Sequence, residues 1–275
     1  MTYREVVLWG ESLLEGANVT EAKLDSWLLL QMATKMDRSY YYTHMEDEIP
    51  AEQLGEYELA IRKRAERVPL QYITGEQDFM GLTFKVNSNV LIPRQDTETL
   101  VEEALKVIQP GMKVLDLCTG SGCIMISIMK NVSDITGTAS DASKQALLVA
   151  KENGKQHELD IEWIRSNLFD NLTEKYHVIV SNPPYIPSGE IVTLMPEVQD
   201  FEPVTALDGG VDGLDFYRKI AEQSKEHLVE GGYLYLEIGY DQGKTVPEIL
   251  EKNGFTQICV IKDLAGNDRV VRAQL

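Results

Sequence analysis

Val178-Ile179-Val180-Ser181-Asn182-Pro183-Pro184-Tyr185 begins as a run of β-branched residues and stops at two prolines. The run predicts a buried strand. Proline has no N–H to give to a ladder, so the strand cannot pass Pro183 or Pro184. The residue ahead of each proline is pushed to extended backbone. A stiff turn therefore closes the strand at its C-terminal end, the edge where open α/β sheets take their ligands. That turn carries a carboxamide on Asn182, a carbonyl on Pro183 and an aromatic plane on Tyr185. The first two can accept both hydrogens of a planar –NH2 group while the ring packs on its face. A strand-ending turn whose asparagine caps backbone groups has the same residues, so the rest of the chain decides.

Outward from this strand, others are expected at Lys113–Leu117, Thr136–Ser140, Ile161–Arg165, His177–Ser181, Tyr233–Ile238 and Phe255–Ile261. Helical runs lie between most of them, and Val270–Gln274 forms a last strand. Such alternation predicts an α/β domain, its parallel sheet covered on both faces.

The ends of four successive strands carry polar or glycine-rich devices. The first runs from Asp116 into Cys118-Thr119-Gly120-Ser121-Gly122 and then an apolar helix. Glycines there let a ligand approach the backbone at the positive end of a helix. A dinucleotide fingerprint needs a third glycine where Met125 stands, which disfavours a dehydrogenase. Asp141 follows the second strand, where a carboxylate grips ribose hydroxyls or caps the helix beyond it. Ser166-Asn167-Leu168-Phe169 follows the third, where an adenine would lie if a nucleoside cofactor spans the sheet edge. Asn182 follows the fourth.

Residues 1–73 read as a small helical bundle without a constellation for chemistry. Leu24, Trp27, Leu28 and Met32 fall on one face of a helix that Thr20 can cap. Leu54, Tyr57, Ile61 and Ala65 fall on one face of another. Residues 74–92 suggest a β-hairpin linker with its polar turn at Asn87-Ser88-Asn89. Residues 93–275 follow as the α/β domain, entered through a helix start at which Asp96 or Thr97 can cap.

The composition, 43% hydrophobic and 25% charged, is that of a globular chain. No apolar run reaches the roughly 18 residues of a membrane span, and no signal peptide is visible. Three cysteines, Cys118, Cys123 and Cys259, form no metal-ligand pattern, which points to a reduced, cytoplasmic setting. The net charge is −18, with 8 Lys/Arg against 13 Asp/Glu in residues 1–75 and 18 against 31 beyond. So acidic a body repels a phosphate backbone. The one dense basic run, Arg62-Lys63-Arg64 with Arg67, reads as a solvated helix face.

These residues resemble the class I S-adenosylmethionine-dependent methyltransferases, and more narrowly the release-factor glutamine methyltransferase (HemK-type) family. Asn-Pro-Pro-Tyr is shared with adenine-N6 and other amino methyltransferases. The narrower likeness rests on Tyr72-Ile73-x-Gly75, Phe79-x-Gly81-Leu82-x-Phe84, Leu91-Ile92-Pro93-Arg94-x-Asp96-Thr97-Glu98, Phe201-Glu202-Pro203, Ala206-Leu207, Gly209-Gly210, Asp212-Gly213-Leu214 and Glu237-Ile238-Gly239-x-x-Gln242. It spans residues 60 to 275, and the helical part less distinctly. Three positions depart from the pattern. Gln95 replaces a proline, Asn167 an aspartate, and Cys118 a glycine, the last requiring the backbone there to keep φ negative.

The resemblance implies a Rossmann-like sheet, mostly parallel with its last strand antiparallel, and a helical domain that docks the substrate protein. It implies that Asp116, Cys118, Thr119, Gly120, Ser121, Gly122, Asp141, Asn167, Leu168 and Asn182 hold S-adenosylmethionine, which leaves as S-adenosylhomocysteine, without a metal. Asn182, Pro183, Pro184 and Tyr185 would hold the substrate, with Asn182, Pro183 and Tyr185 catalytic. That substrate is the glutamine of the Gly-Gly-Gln loop in peptide-chain release factors. A ribosomal-protein glutamine or adenine N6 is the alternative acceptor. A non-catalytic S-adenosylmethionine sensor is the rival of another class, and it has no need of an amine clamp.

Overall fold

Neighbouring residues of the central strands point to opposite layers, which is why their sequences are apolar throughout. Val178 and Val180 pack in one core layer with Val114 and Tyr235, whereas Ile179 packs in the other with Leu115, Leu234 and Leu236. The computed structural model describes every residue, Met1–Leu275. It divides into two compact units, Met1–Gly75 with Met195–Phe201, and Glu76–Leu194 with Glu202–Leu275.

The helical unit contains α1 (Tyr3–Gly16), α2 (Ala22–Thr34), α3 (Arg38–His44), α4 (Ala51–Ala65) and α5 (Leu70–Thr74). A capping box starts α1: the Glu5 N–H donates to Thr2 Oγ1, and Thr2 N–H to the Glu5 carboxylate. Val6, Leu14, Leu29, Leu30, Tyr57 and Ile61 form its core, each fully buried. Gly10 of α1 leaves room for the Tyr57 ring, since a Cβ there would meet Tyr57 Oη at 2.0 Å.

The buried face of α2 is not the one the apolar spacing marks. Leu24 is exposed, while Asp25 and Ser26 are buried beside Leu29 and Leu30. Both polar residues have partners: Ser26 Oγ meets Tyr57 Oη at 2.7 Å, and Arg64 Nε donates to Asp25 at 2.7 Å. Nor does Thr20 cap this helix, which begins after Glu21 without a side-chain cap. Arg64 corrects the basic run as well. It is buried and also donates to Glu197 at 2.9 Å, and Arg67 donates to both oxygens of Glu197, at 2.8 and 2.5 Å.

The second unit opens with a hairpin of β1 (Glu76–Phe79) and β2 (Leu82–Lys85). Its turn is Met80-Gly81, not Asn87–Asn89. Both turn residues have positive φ, +51° and +71°, the hand that suits a two-residue hairpin. Val90–Ile92 is not a strand. The main strands are β3 (Lys113–Leu117), β4 (Thr136–Asp141), β5 (Glu162–Arg165), β6 (Tyr176–Ser181), β7 (Leu228–Glu237), β8 (Thr256–Lys262) and β9 (Asp268–Gln274). They form one sheet in the order β5-β4-β3-β6-β7-β9-β8. β9 alone runs antiparallel to its neighbours β7 and β8. On one face lie α6 (Glu98–Leu105) and α7 (Cys123–Asn131); on the other lie helices Asp215–His227 and Thr245–Lys252. The sheet order reverses between β3 and β6, and such switch points open a crevice.

Candidate active site

Three strands end at one level beside that crevice. Leu117 of β3 lies in register with Ser140 of β4 and Ser181 of β6. The Thr119 N–H donates to the Ser140 carbonyl at 2.9 Å, and the Ser181 hydroxyl to the Leu117 carbonyl at 2.6 Å. Above them opens a cavity of about 630 Å³, a size typical of small-molecule sites.

Of the residues singled out in the sequence, Cys118, Thr119, Gly120, Ser121, Asp141, Asn167, Leu168, Asn182 and Pro184 line this cavity. Asp116, Gly122, Pro183 and Tyr185 are not part of its wall. Asp116 is fully buried beneath the glycine turn. Its Oδ2 accepts from the Thr119 hydroxyl at 2.5 Å and the Met125 N–H at 3.3 Å. It therefore shapes the turn from below. Burial pushes its carboxyl up to about 7, against the opposing hydrogen bonds from Thr119 and Met125. Gly122 has φ +83° and starts α7; a Cβ on it would press on Trp163 at 3.1 Å and Ala150 at 3.2 Å. Tyr185 turns its hydroxyl inward, to Glu237 Oε1 at 3.4 Å. The aromatic wall is instead Phe216, which sequence spacing did not mark.

Cys118 does not keep a negative φ: its value is +64°, in the left-handed region. Glycine adopts this conformation freely, whereas an L side chain is strained there. Leu168, at the next-but-one strand end, is also left-handed at +50°. Two such residues on one cavity wall concentrate strain at the site. Desolvation, followed by the nearby Asp141 carboxylate, pushes the Cys118 thiol far up, and desolvation raises Cys123 to about 12. Both are neutral thiols at pH 7.

Asp141 lines the opposite end from Asn182. Its Oδ2 accepts from the Gly120 N–H at 2.9 Å and its Oδ1 from the Ser143 N–H at 2.8 Å. Ser143, not Asp141, caps the following helix Lys144–Gln156. Burial raises the Asp141 carboxyl and these two bonds lower it, with a net upward shift. Each oxygen of the carboxylate has accepted one bond and retains capacity for another.

The Asn182–Tyr185 turn is clamped from several directions. Asn182 Nδ2 donates to Thr97 Oγ1 at 3.3 Å. No group of the protein donates to Asn182 Oδ1 or to the Pro183 carbonyl. Farther along, the Ile186 N–H donates to Leu207 and the Ile186 carbonyl accepts from Gly209. Gly209 approaches so closely that a Cβ would lie 2.8 Å from Tyr185 Cα. Arg94, at the cavity wall, pairs with the buried Glu202, which also accepts from the Ile92 N–H at 3.3 Å. Residues 89–91, 93–94 and 203–206 all line the cavity. Neither Asp96 nor Thr97 caps α6: Asp96 pairs with Arg269, and Thr97 is buried toward Asn182.

Residues 5–75 match the family described as PrmC N-terminal domain, and residues 95–196 the Methyltransferase small domain. A release factor glutamine methyltransferase of Geobacter sulfurreducens is 39% identical over 100% of this chain and 97% of its own length. One from Clostridium acetobutylicum is 42% identical over 99% of this chain and 98% of its own. The chain belongs to the release factor glutamine methyltransferase family. A methyltransferase from Pyrococcus furiosus is 18% identical, with a TM-score of 0.54 over 70% of this chain and 89% of its own, and shares the fold. In this family member the segments 206–214 and 237–242 surround the Asn182–Tyr185 turn, which gives those sequence blocks a physical task.

Proposed function

We propose that the chain moves a methyl group from S-adenosylmethionine to the side-chain amide nitrogen of the glutamine in the Gly-Gly-Gln loop of a peptide-chain release factor. One observation carries this: at the cavity wall Asn182 spends its amide donor on Thr97, and its Oδ1 and the Pro183 carbonyl stay free to accept. Two free acceptors on adjacent residues of one turn suit a primary amide.

The cavity fits the cofactor. The Asp141 carboxylate can take two ribose hydroxyls with the acceptor capacity left to it. Gly120, with φ +54° and open space where a Cβ would stand, lets the methionine part lie against bare backbone. Leu168, Ile124 and Ala142 supply apolar contact for the adenine, and Asn167 a polar edge. S-adenosylmethionine, when bound, supplies an electrophilic methyl on a sulfonium and leaves as S-adenosylhomocysteine.

An amide nitrogen is a poor nucleophile because its lone pair is delocalised into the carbonyl. Acceptance of both N–H hydrogens, by Asn182 Oδ1 and Pro183 O, fixes the rotation of the –NH2 group. It also favours the positive charge that develops on nitrogen. The proton leaves after that charge has formed, so the turn needs no strong base. A glutamate would set an anion against both acceptors, and rejection on the order of 10⁴-fold follows.

The acidic chain favours a protein partner over nucleic acid, and we place the enzyme in the cytoplasm. No helix is long and apolar enough to cross a membrane. The helical unit is assigned to holding the release factor. A short Gly-Gly-Gln peptide should then show a KM at least about 10-fold above that of the whole factor, since a second contact adds binding. The primary test is incorporation of labelled methyl into purified release factor, its Gly-Gly-Ala variant, a ribosomal-protein preparation and unmodified DNA. Label in the intact factor alone is expected. Equal label in the variant, or label in DNA, sinks the proposal.

A further inference from the structure

Resting on the reading above, we infer that Thr97 is a positioning residue which sets the orientation of the Asn182 carboxamide, with the buried Glu237 carboxyl behind it as anchor. An asparagine amide is nearly symmetric in shape, and turned over it would present two donors to the substrate instead of an acceptor. Something must forbid the flip. Asn182 Nδ2 lies 3.3 Å from Thr97 Oγ1. Thr97 has one hydroxyl proton, and while its oxygen accepts from Asn182 that proton must go elsewhere.

The group that can take it is the neighbouring Glu237 carboxyl. Thr97 is 2% exposed and Glu237 1%, so water cannot serve either of them. Glu237 Oε1 takes the Tyr185 hydroxyl at 3.4 Å, and Oε2 is buried without a hydrogen-bond partner. When ionised this carboxyl cannot donate, so Thr97 is then the donor toward it and must accept from Asn182. Burial pushes the Glu237 carboxyl up to about 7, and the Thr97 hydroxyl leads the groups that oppose this, ahead of Arg269 and Tyr185. With Glu237 ionised, as it is at a pH above about 7, donation runs from Asn182 to Thr97 to Glu237, and Asn182 Oδ1 is left toward the substrate. Asn182 and Tyr185, the two ends of the turn, both lean on this one buried acid. The family motif containing Thr97 thus has a task other than capping α6.

Kinetics of release-factor methylation by Thr97→Val and Thr97→Ser test the inference. Valine keeps the shape and removes the hydroxyl, so kcat should fall about 10-fold or more, with KM and S-adenosylmethionine affinity within about threefold. Serine keeps the hydroxyl and should restore kcat to within about threefold of wild type. A release factor bearing Gln→Glu should become a competitive inhibitor about fivefold tighter for Thr97→Val, whose freed amide can donate to the carboxylate, but not for Thr97→Ser. Thermal melts establish that each variant is folded. A Thr97→Val enzyme with kcat within twofold of wild type overturns the inference, as does a serine variant as poor as valine. Failure of the wild type itself to methylate the factor overturns the functional reading, and this inference with it.

Discussion

Gln242 Nε2 donates to the Tyr185 carbonyl at 3.1 Å and to the Gly213 carbonyl at 3.3 Å, while Gln242 Oε1 accepts from the Gly239 N–H at 2.9 Å. Both donor hydrogens of a buried amide and one lone pair of its oxygen are thereby spent on three backbone segments, and its flip is fixed. Gly213, at φ +73°, is needed for the approach: a Cβ there would lie 2.4 Å from the Tyr185 carbonyl. Gln242→Glu sets a carboxylate against two carbonyls. We expect kcat to fall roughly 100-fold with S-adenosylmethionine affinity nearly unchanged, because a misplacement of about 1 Å costs that much. Titration calorimetry and steady-state kinetics check this, and a parallel loss of cofactor affinity would show that Gln242 supports the whole cavity instead.

The sheet and its ligand edge were legible because buried parallel strands are apolar throughout and end in glycine, proline or a carboxylate. Cys118–Ser121, Asp141, Asn167, Leu168, Asn182 and Pro184 could be found that way. Thr97 and Gln242 stood out only through the family resemblance, and Phe216 not at all: Thr97 and Gln242 reach the turn through contacts 85 and 57 residues away in sequence, which no spacing argument covers. The same reason hides the burial of Arg64. Its neighbours look like a charged helix face, and only Asp25 and Glu197, brought in by folding, make the interior tolerable for it. Leu24 was misplaced for the converse reason, since Asp25 and Ser26 count as polar in a spacing argument yet bury once partnered. The hairpin turn fell at Met80-Gly81 because positive φ, which glycine allows, outweighs polarity in choosing a tight turn.

The ion cluster of Asp25, Arg64, Arg67 and Glu197 makes a stability prediction. Removal of one partner leaves buried charge uncompensated. Glu197→Ala should lower unfolding free energy by about 3 kcal/mol, whereas breaking the exposed Arg218–Asp212 pair should leave it nearly unchanged. Urea unfolding followed by circular dichroism measures both. Equal small effects would mean that water reaches Arg64 and Arg67 when Glu197 is lost.

Strain at Cys118 should invert an ordinary preference. Alanine normally stabilises over glycine, but at φ +64° its Cβ keeps the strain while the sulfur contacts are lost. Cys118→Gly should be more stable than Cys118→Ala by about 1 kcal/mol. The comparison is by chemical denaturation of the two variants, both lacking the sulfur. Alanine equal to or better than glycine would show that the turn relaxes to negative φ without its thiol.

Asp116 and Asp141 sit at the ends of adjacent strands and should answer differently to the same change. Asp141 faces the cavity, so Asp141→Asn should weaken S-adenosylmethionine binding by about 10-fold or more, in keeping with a lost charge-assisted bond. Asp116 lies outside the wall, and Asp116→Asn should leave that affinity within about threefold, because an amide oxygen still accepts from Thr119 and Met125. Its effect appears in stability against pH. The folded carboxyl has its pKa raised to about 7 by burial, while an unfolded aspartate titrates near 3.9. Between these values the folded state holds the extra proton, so stability is full at the acid end of that window and falls as pH rises through about 7. In Asp116→Asn nothing titrates there, and the melting temperature should decline less from pH 5 to pH 8 than in wild type. The remaining decline would come from Glu237, raised to about 7 by its own burial, together with the other carboxyls that burial raises, Asp141 among them. Identical pH profiles for wild type and Asp116→Asn would place the Asp116 proton elsewhere and return this residue to the ordinary carboxylate range.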